Sequence, residues 1–100
     1  DGITLMNKGI ALYQLSRHDE AIRYFDLVIT NYPEHSAAWL MKSRIHMEAR
    51  LFDVALTEID QALKISPDDS RCWEQKVVIL RALGREDEAR KAEDMIQNEI

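Results

Sequence analysis

The sequence is short of the residues that form tight turns and covalent crosslinks. Its 100 residues include only three glycines, two prolines and one cysteine. Glycine and proline are the residues that most often form the turns between strands, so this scarcity argues against an all-β fold. The single cysteine, Cys72, excludes an internal disulfide and favours a reducing compartment. We therefore expect a cytoplasmic protein.

Long apolar runs and an excess of basic residues are also missing. No run approaches the roughly 20 apolar residues that a membrane-spanning helix needs, and no signal peptide is visible, so we expect no membrane partner. The net charge of −5 argues against a nucleic-acid surface, which is usually basic. The chain begins at Asp1 rather than at Met, which suggests a piece of a longer protein.

The residues that are present favour one all-α domain spanning residues 1–100. Hydrophobic residues make up 46% of the chain and charged residues 31%, a balance typical of a globular protein. Leucine, alanine, glutamate, arginine and lysine are abundant, and all of them favour helices. One hundred residues are enough for a single domain with its own core.

Several series of residues recur with a period of 34, which indicates stacked repeat units. The series are Trp39 and Trp73; Pro33 and Pro67; Ala21, Ala55 and Ala89; Asp19, Asp53 and Asp87; and Lys8, Lys42 and Lys76.

Within each unit, small and apolar residues follow i, i+4, i+7 steps, which predicts two amphipathic helices of about 14 residues. The turns between them are expected near Ser16–Arg17, Arg50–Leu51 and Gly84–Arg85. Aspartates 19, 53 and 87 then fall in the first turn of each second helix, where they face the positive end of the helix dipole. Prolines 33 and 67 follow the second helices, and Asp69 or Ser70 can cap the next one.

These residues resemble the pattern of the tetratricopeptide repeat, in which tryptophan, alanine and proline stand at fixed positions of a 34-residue unit. The second unit offers Trp39, Ala55 and Pro67 at those positions. The resemblance implies an α-α superhelix, a right-handed solenoid of three helix-turn-helix units with about six antiparallel helices. The predicted repeats are residues 2–35, 36–69 and 70–100, the last slightly truncated. Tryptophans 39 and 73 are then packing residues between helix pairs.

The chain departs from the family pattern at several positions. Lysine replaces the usual leucine three residues after the tryptophan position, at Lys8, Lys42 and Lys76. We expect packed aliphatic stems with the ammonium groups in water, the alternative being a functional basic stripe. His46 replaces a tyrosine and Glu93 an aromatic residue. The polar second helix of the third repeat suits the capping end of an array.

No combination of residues suggests catalysis or a cofactor. Cys72 has no histidine near it in the repeat geometry, and the three histidines fall in a turn, a loop and a core position. Zinc needs about four ligands, usually cysteine or histidine at close spacing, and the sequence does not supply them. We therefore expect neither an enzyme nor a metal site.

The resemblance places the first helix of each repeat on a concave face that commonly holds an extended peptide or a partner's helix. The stripe not used for packing contains apolar residues, of which methionine adapts best to varied partners. Arginines near the third repeat can bind a carboxylate through paired hydrogen bonds. The sequence therefore predicts a protein or peptide partner with apolar anchors and an acidic group. The candidate residues are Ile3, Met6, Ile10, Tyr13, Ala37, Leu40, Met41, Arg44, Met47, Arg71, Glu74, Val78 and Arg81.

Three alternatives remain open at this point. The stripe residues are buried instead if neighbouring first helices crowd together. The chain is a structural segment if it self-associates through its end helices, or a regulatory module if it accompanies a catalytic domain. A chaperone-tail clamp is not expected. Family members of that type use lysine, asparagine and arginine at five positions, held here by Met6, Ile10, Met41, Arg71 and Gln75, so that only Arg71 keeps the charge.

Overall fold

The computed structural model describes residues 1–97, and its regular elements are all α-helices. The expected all-α solenoid is therefore confirmed, while residues 98–100 of the third predicted repeat lie outside the described residues. The six helices are α1 (Gly2–Gln14), α2 (His18–Asn31), α3 (Ser36–Glu48), α4 (Phe52–Ile65), α5 (Ser70–Ala82) and α6 (Glu86–Gln97).

The helices repeat with the period of the sequence. Helices α1, α3 and α5 begin at residues 2, 36 and 70, and α2, α4 and α6 begin at residues 18, 52 and 86. Each helix packs against the next one along the chain. The result is an elongated stack with principal extents of 37 × 26 × 19 Å.

The turn inside each pair is built in the same way three times. Ser16, Arg50 and Gly84 have φ angles of 61°, 66° and 76°, in the left-handed region. The following N–H then donates back to the preceding helix, for example from Arg17 to the carbonyl of Leu12 at 2.9 Å. This is the Schellman motif, which satisfies carbonyls at the end of a helix. The predicted turn positions are therefore confirmed.

The starts of the helices also follow the sequence. The three repeated aspartates lie in the first turns of α2, α4 and α6. Asp69 caps α5, because its carboxylate accepts the Arg71 N–H at 3.0 Å. Helices α2 and α4 end before Pro33 and Pro67, respectively.

The apolar core forms three clusters along the stack. The first includes Phe25 of α2, the second Ile59 of α4, and the third Leu80 of α5. Trp73 packs against both the second and the third cluster, and Trp39 packs against the second. Both tryptophans are therefore packing residues, and Trp73 joins two repeats.

The repeated lysines lie against aromatic rings. The ammonium groups of Lys8, Lys42 and Lys76 are 6.0, 5.4 and 5.6 Å from the ring centres of Tyr24, Trp39 and Trp73. Lys42 and Lys76 are mostly buried and also contact carboxylates. They agree with the packed-stem interpretation, although their ammonium groups bind carboxylates and rings instead of extending freely into water.

The other departures from the family pattern form polar pairs. His46 Nδ1 lies 2.6 Å from a carboxylate oxygen of Glu58, whose side chain is buried. Glu93 is half-buried and pairs with the guanidinium of Arg81. A carboxylate is tolerated at this aromatic position because it has a cationic partner from α5.

Candidate functional site

The first helices of the three pairs form the inner side of the stack. Helix α1 touches α3, and α3 touches α5, whereas α2, α4 and α6 do not touch one another within residues 1–97. Closer approach on one side means that the stack curves towards that side. Helices α1, α3 and α5 therefore line the concave face.

A cleft opens on this face between α3 and α5. We give the name inner groove to the residues that line this cleft together with Tyr13 of α1. Five of the lining residues are among those predicted from the sequence, and Glu48 and Gln75 are additional. The cleft is lined by Arg44, Met47, Glu48, Arg71, Glu74, Gln75 and Val78.

Gln75 connects the two helices that form the groove. Its side chain is buried, its Nε2 donates to the carbonyl of Leu40 at 3.3 Å, and its Oε1 accepts from Arg44 Nε at 3.4 Å. Buried amides need such partners, and Leu40 and Arg44 of α3 supply them to the side chain of Gln75. The sequence signal was an amide on the helix face that also carries Cys72 and Ile79, but its partners lie in another helix and could not be read from spacing.

Tyr13 and Glu48 form the end of the groove nearest α1. The Tyr13 hydroxyl lies 2.8 and 2.7 Å from the two carboxylate oxygens of Glu48 and donates to that group. Burial and this hydrogen bond raise the pKa of Tyr13 above its usual range, which already lies well above neutral pH, so the hydroxyl is a donor. The Glu48 carboxylate is thereby held by a neutral partner from another repeat.

The two arginines of the groove differ in their partners. Arg71 pairs with Asp69 at 2.9 Å, and its hydrogen bonds lower the pKa of the Asp69 carboxyl. Arg44 instead bonds to the neutral amide of Gln75, and no carboxylate of residues 1–97 forms an ion pair with it. Arg44 therefore offers a positive charge beside the exposed Val78.

Several predicted residues lie elsewhere. Met6 and Leu40 are only 6% and 4% exposed and belong to the first and second core clusters, so the expectation that they are groove surface is wrong. Each faces the second helix of its own pair or the next repeat, which buries it. For these two residues the crowding alternative holds.

The remaining predicted residues are partly or fully accessible but do not line the cleft. Ile10, Ala37 and Met41 are half-buried against the first core cluster. Ile3 is 71% exposed near the start of α1. Arg81 pairs with Glu86 and Glu93, which directs its side chain towards α6 and away from the groove.

Three further features of the described residues concern metal ligands, the cysteine thiol and the length of the helices. Residues 1–97 hold no group of three or more histidine, cysteine or acidic side chains placed to share a metal ion. Cys72 is buried, and burial raises the pKa of its thiol to about 11. None of the described helices is long and apolar enough to cross a membrane.

Comparison with known families identifies the repeat. A sequence model of the tetratricopeptide repeat matches residues 6–70 and again residues 40–98. This chain belongs to the tetratricopeptide repeat family. The helix pairs and their 34-residue spacing are those of tetratricopeptide repeats. A separate comparison with curated proteins found no match.

Solved tetratricopeptide repeat structures have the same fold. The first TPR domain of Spaghetti (RPAP3), bound to the HSP90 peptide SRMEEVD, superposes with a TM-score of 0.91 at 18% identity, covering 97% of this chain and 79% of that one. MamA superposes with a TM-score of 0.92 at 16% identity, covering 98% of this chain and 57% of that one. This chain thus spans little more than half of MamA. At these identities the likeness shows the fold alone.

Proposed function

We propose that this tetratricopeptide repeat domain is a protein-interaction module that binds an extended segment of a partner protein in the inner groove. The observation that carries the proposal is the cleft between α3 and α5, where Met47 and Val78 lie beside Arg44. Domains of the same fold in Spaghetti (RPAP3) are bound to a peptide, which supports a peptide as the class of ligand.

The groove favours a ligand with one apolar anchor and one acidic group. Val78 is 54% exposed and Met47 is half-buried, so an apolar side chain placed between them would remove more apolar surface from water. Arg44 can donate two parallel hydrogen bonds to a carboxylate. Glu74 and Glu48 on the rim disfavour further acidic groups nearby, which limits the expected motif to few negative charges.

A chaperone-type carboxylate clamp is not proposed, although the Spaghetti (RPAP3) domains are bound to the HSP90 peptide. Met6 is buried, and Ile10 and Met41 are half-buried apolar residues at positions where that mode needs polar donors. Arg71 keeps the charge but already pairs with Asp69. The groove has little means to hold the end of a peptide chain in that way.

A peptide-display selection tests the proposal. Peptides enriched by the wild-type domain should contain an acidic residue near an apolar one, and the double variant Arg44→Glu/Met47→Glu should bind them at least about tenfold more weakly. The matched control is Arg23→Glu/Leu27→Glu on the exposed face of α2, which changes the net charge equally. Circular dichroism establishes that both variants fold.

The outcomes separate the two functions predicted from the sequence. Loss of binding in the groove variant alone supports the proposal. Equal binding by both variants, or no enriched motif, contradicts it. Sedimentation of the wild-type domain tests the alternative, because concentration-dependent dimers would favour a self-associating segment.

A further inference from the structure

A second cleft lies between α5 and α6, apart from the inner groove. We call it the third-repeat cleft. Its volume of about 350 Å³ is at the lower end of the range for ligand sites, which suits one side chain and its neighbour. None of its residues lines the inner groove. The cleft is lined by Trp73, Lys76, Leu80, Glu88, Lys91, Ala92 and Met95.

The same position is filled by a larger side chain in the other two repeats. Residues 24, 58 and 92 are related by the 34-residue period. In the first repeat the position holds Tyr24, whose ring lies beneath the Lys8 ammonium group at 6.0 Å. In the second repeat it holds Glu58, which contacts Lys42 at 3.5 Å. In the third it holds only Ala92, so the side chain that would fill this space is missing.

Lys76 of the third repeat has one carboxylate partner, whereas Lys42, its equivalent in the second repeat, has two. Lys42 contacts Asp26 at 2.8 Å as well as Glu58. Lys76 contacts Asp60 at 2.7 Å, and Asp60 is the equivalent of Asp26. The partner that corresponds to Glu58 is absent from α6. Glu88 of α6 lies near enough to interact with the charge of Lys76, but it hydrogen-bonds to Arg85, so Lys76 forms no ion pair with α6 within residues 1–97.

The rim of the cleft adds a second positive charge. Lys91 forms no ion pair with any carboxylate in residues 1–97, while Glu88 is bound by the guanidinium of Arg85 at 2.9 Å. Met95 is 43% exposed, and Trp73 is half-buried. The cleft thus combines an aromatic and aliphatic floor with two ammonium groups and one carboxylate, Glu88, which is paired with Arg85.

We propose that the third-repeat cleft binds an aromatic side chain with an acidic group beside it, supplied by a segment of a partner protein. The chain itself holds both groups at the equivalent positions, a ring beneath lysine in the first repeat and a carboxylate against lysine in the second. The charge of Lys76 and Lys91 complements the acidic group. This site is independent of the inner groove.

Nuclear magnetic resonance titration with N-acetyl-L-phenylalanine tests the assignment, because this probe carries both a ring and a carboxylate. A ligand of this size should bind with a Kd on the order of 1 mM. The neutral N-acetyl-L-phenylalaninamide should bind more weakly. Saturable shifts are expected at the amides of Trp73, Leu80, Lys91, Ala92 and Met95.

Two variants in the cleft and one control variant outside it make the result specific. Ala92→Tyr places the first repeat's own side chain in the cleft and should abolish the saturable shifts. Lys91→Glu should weaken the binding of the acidic probe about fivefold or more and leave the binding of the neutral probe unchanged. Lys91 is exposed, so this variant keeps the test valid if Ala92→Tyr does not fold. Arg44→Glu in the inner groove should leave the titration unchanged.

Three results would overturn the proposal. One is the absence of saturable shifts at these amides up to about 10 mM probe. Another is a set of shifts centred on the inner groove instead. The third is the appearance of the same shifts when the protein concentration is raised without any probe. That result would mean that a second copy of the chain fills the cleft, for example with its exposed Tyr32.

Discussion

Gly9 controls how closely α1 approaches α2. A Cβ atom added at Gly9 would lie 2.6 Å from Cε1 and 2.9 Å from Cζ of Phe25. The second repeat has Ser43 and Ile59 at the equivalent positions, a larger residue opposite a smaller one. In both repeats the two residues together fill the space between the helices, but the first repeat pairs a residue without a side chain with a large ring and the second pairs a small side chain with a medium one. This is expected for a closely packed interior.

Gly9→Ala should lower the free energy of unfolding by about 1–3 kcal/mol, because the overpacking outweighs the gain in helix propensity. Adding Phe25→Ile should restore part of the loss, since the pair then approaches the packing of the second repeat. Urea denaturation of both single variants and the double variant measures the coupling. Full additivity of the two changes would contradict the proposed contact.

Cys72 should be unreactive in the folded domain. It is fully buried, and burial raises the pKa of its thiol to about 11, so the reactive thiolate is scarce at pH 8. We expect slow labelling by Ellman's reagent in buffer and rapid labelling in urea. The raised pKa also predicts that this thiol's contribution to stability is lost as the pH rises from about 9 to about 11, because the unfolded chain then ionises first. Rapid labelling in buffer would contradict the burial.

At the scale of the element, the turn inside each pair depends on one left-handed residue. Gly84 adopts this conformation without strain, whereas Ser16 and Arg50 carry a Cβ in it. Arg50 also lies over the Phe52 ring at 5.6 Å, so its side chain has a second role. Ser16 is therefore the cleaner position at which to test the backbone.

Ser16→Gly should raise the free energy of unfolding by up to about 1 kcal/mol, and Gly84→Ala should lower it by about 1 kcal/mol. Apart from Gly84 and its two chain neighbours, no atom of the described residues lies within 4 Å of a Cβ built on Gly84, so the second effect is a backbone effect without a clash. Thermal denaturation of the two variants measures both signs. A loss of stability in Ser16→Gly would mean that the serine side chain contributes more than the strain costs.

The helices and turns could be predicted from the sequence because their determinants are local and repeat three times. Each determinant lies within a few residues of the helix end that it favours. These determinants are the left-handed residue in the turn, the acidic residues of the first turn and the proline that follows a helix. The groove was predicted only in part. Helical periodicity identified the stripe that contains Arg44 and Val78, but it did not show how closely neighbouring helices approach. That distance buries Met6 and Leu40 and makes Gln75 a connection between α3 and α5.

At the scale of the whole molecule, neighbouring repeats stabilise each other through side chains that pack against two core clusters at once. Trp73 and Leu56 pack against both the second and the third core cluster. The indole N–H of Trp73 also donates to the carbonyl of Pro67 at 2.7 Å, which ties α5 to the loop before it. In a solenoid each repeat contacts only its neighbours, so the effect of losing such a residue should be confined.

Trp73→Ala should lower the free energy of unfolding by about 3 kcal/mol, the lower part of the range for a tryptophan because the side chain is only half-buried. Hydrogen exchange should accelerate most in α5 and α6 and least in α1 and α2, which share no core cluster with Trp73. Met95→Ala, on the exposed side of α6, is the matched control and should change exchange little. Equal acceleration in α1 and α2 would mean that the three repeats unfold as a single cooperative unit, and that nearest-neighbour coupling does not describe a stack this short.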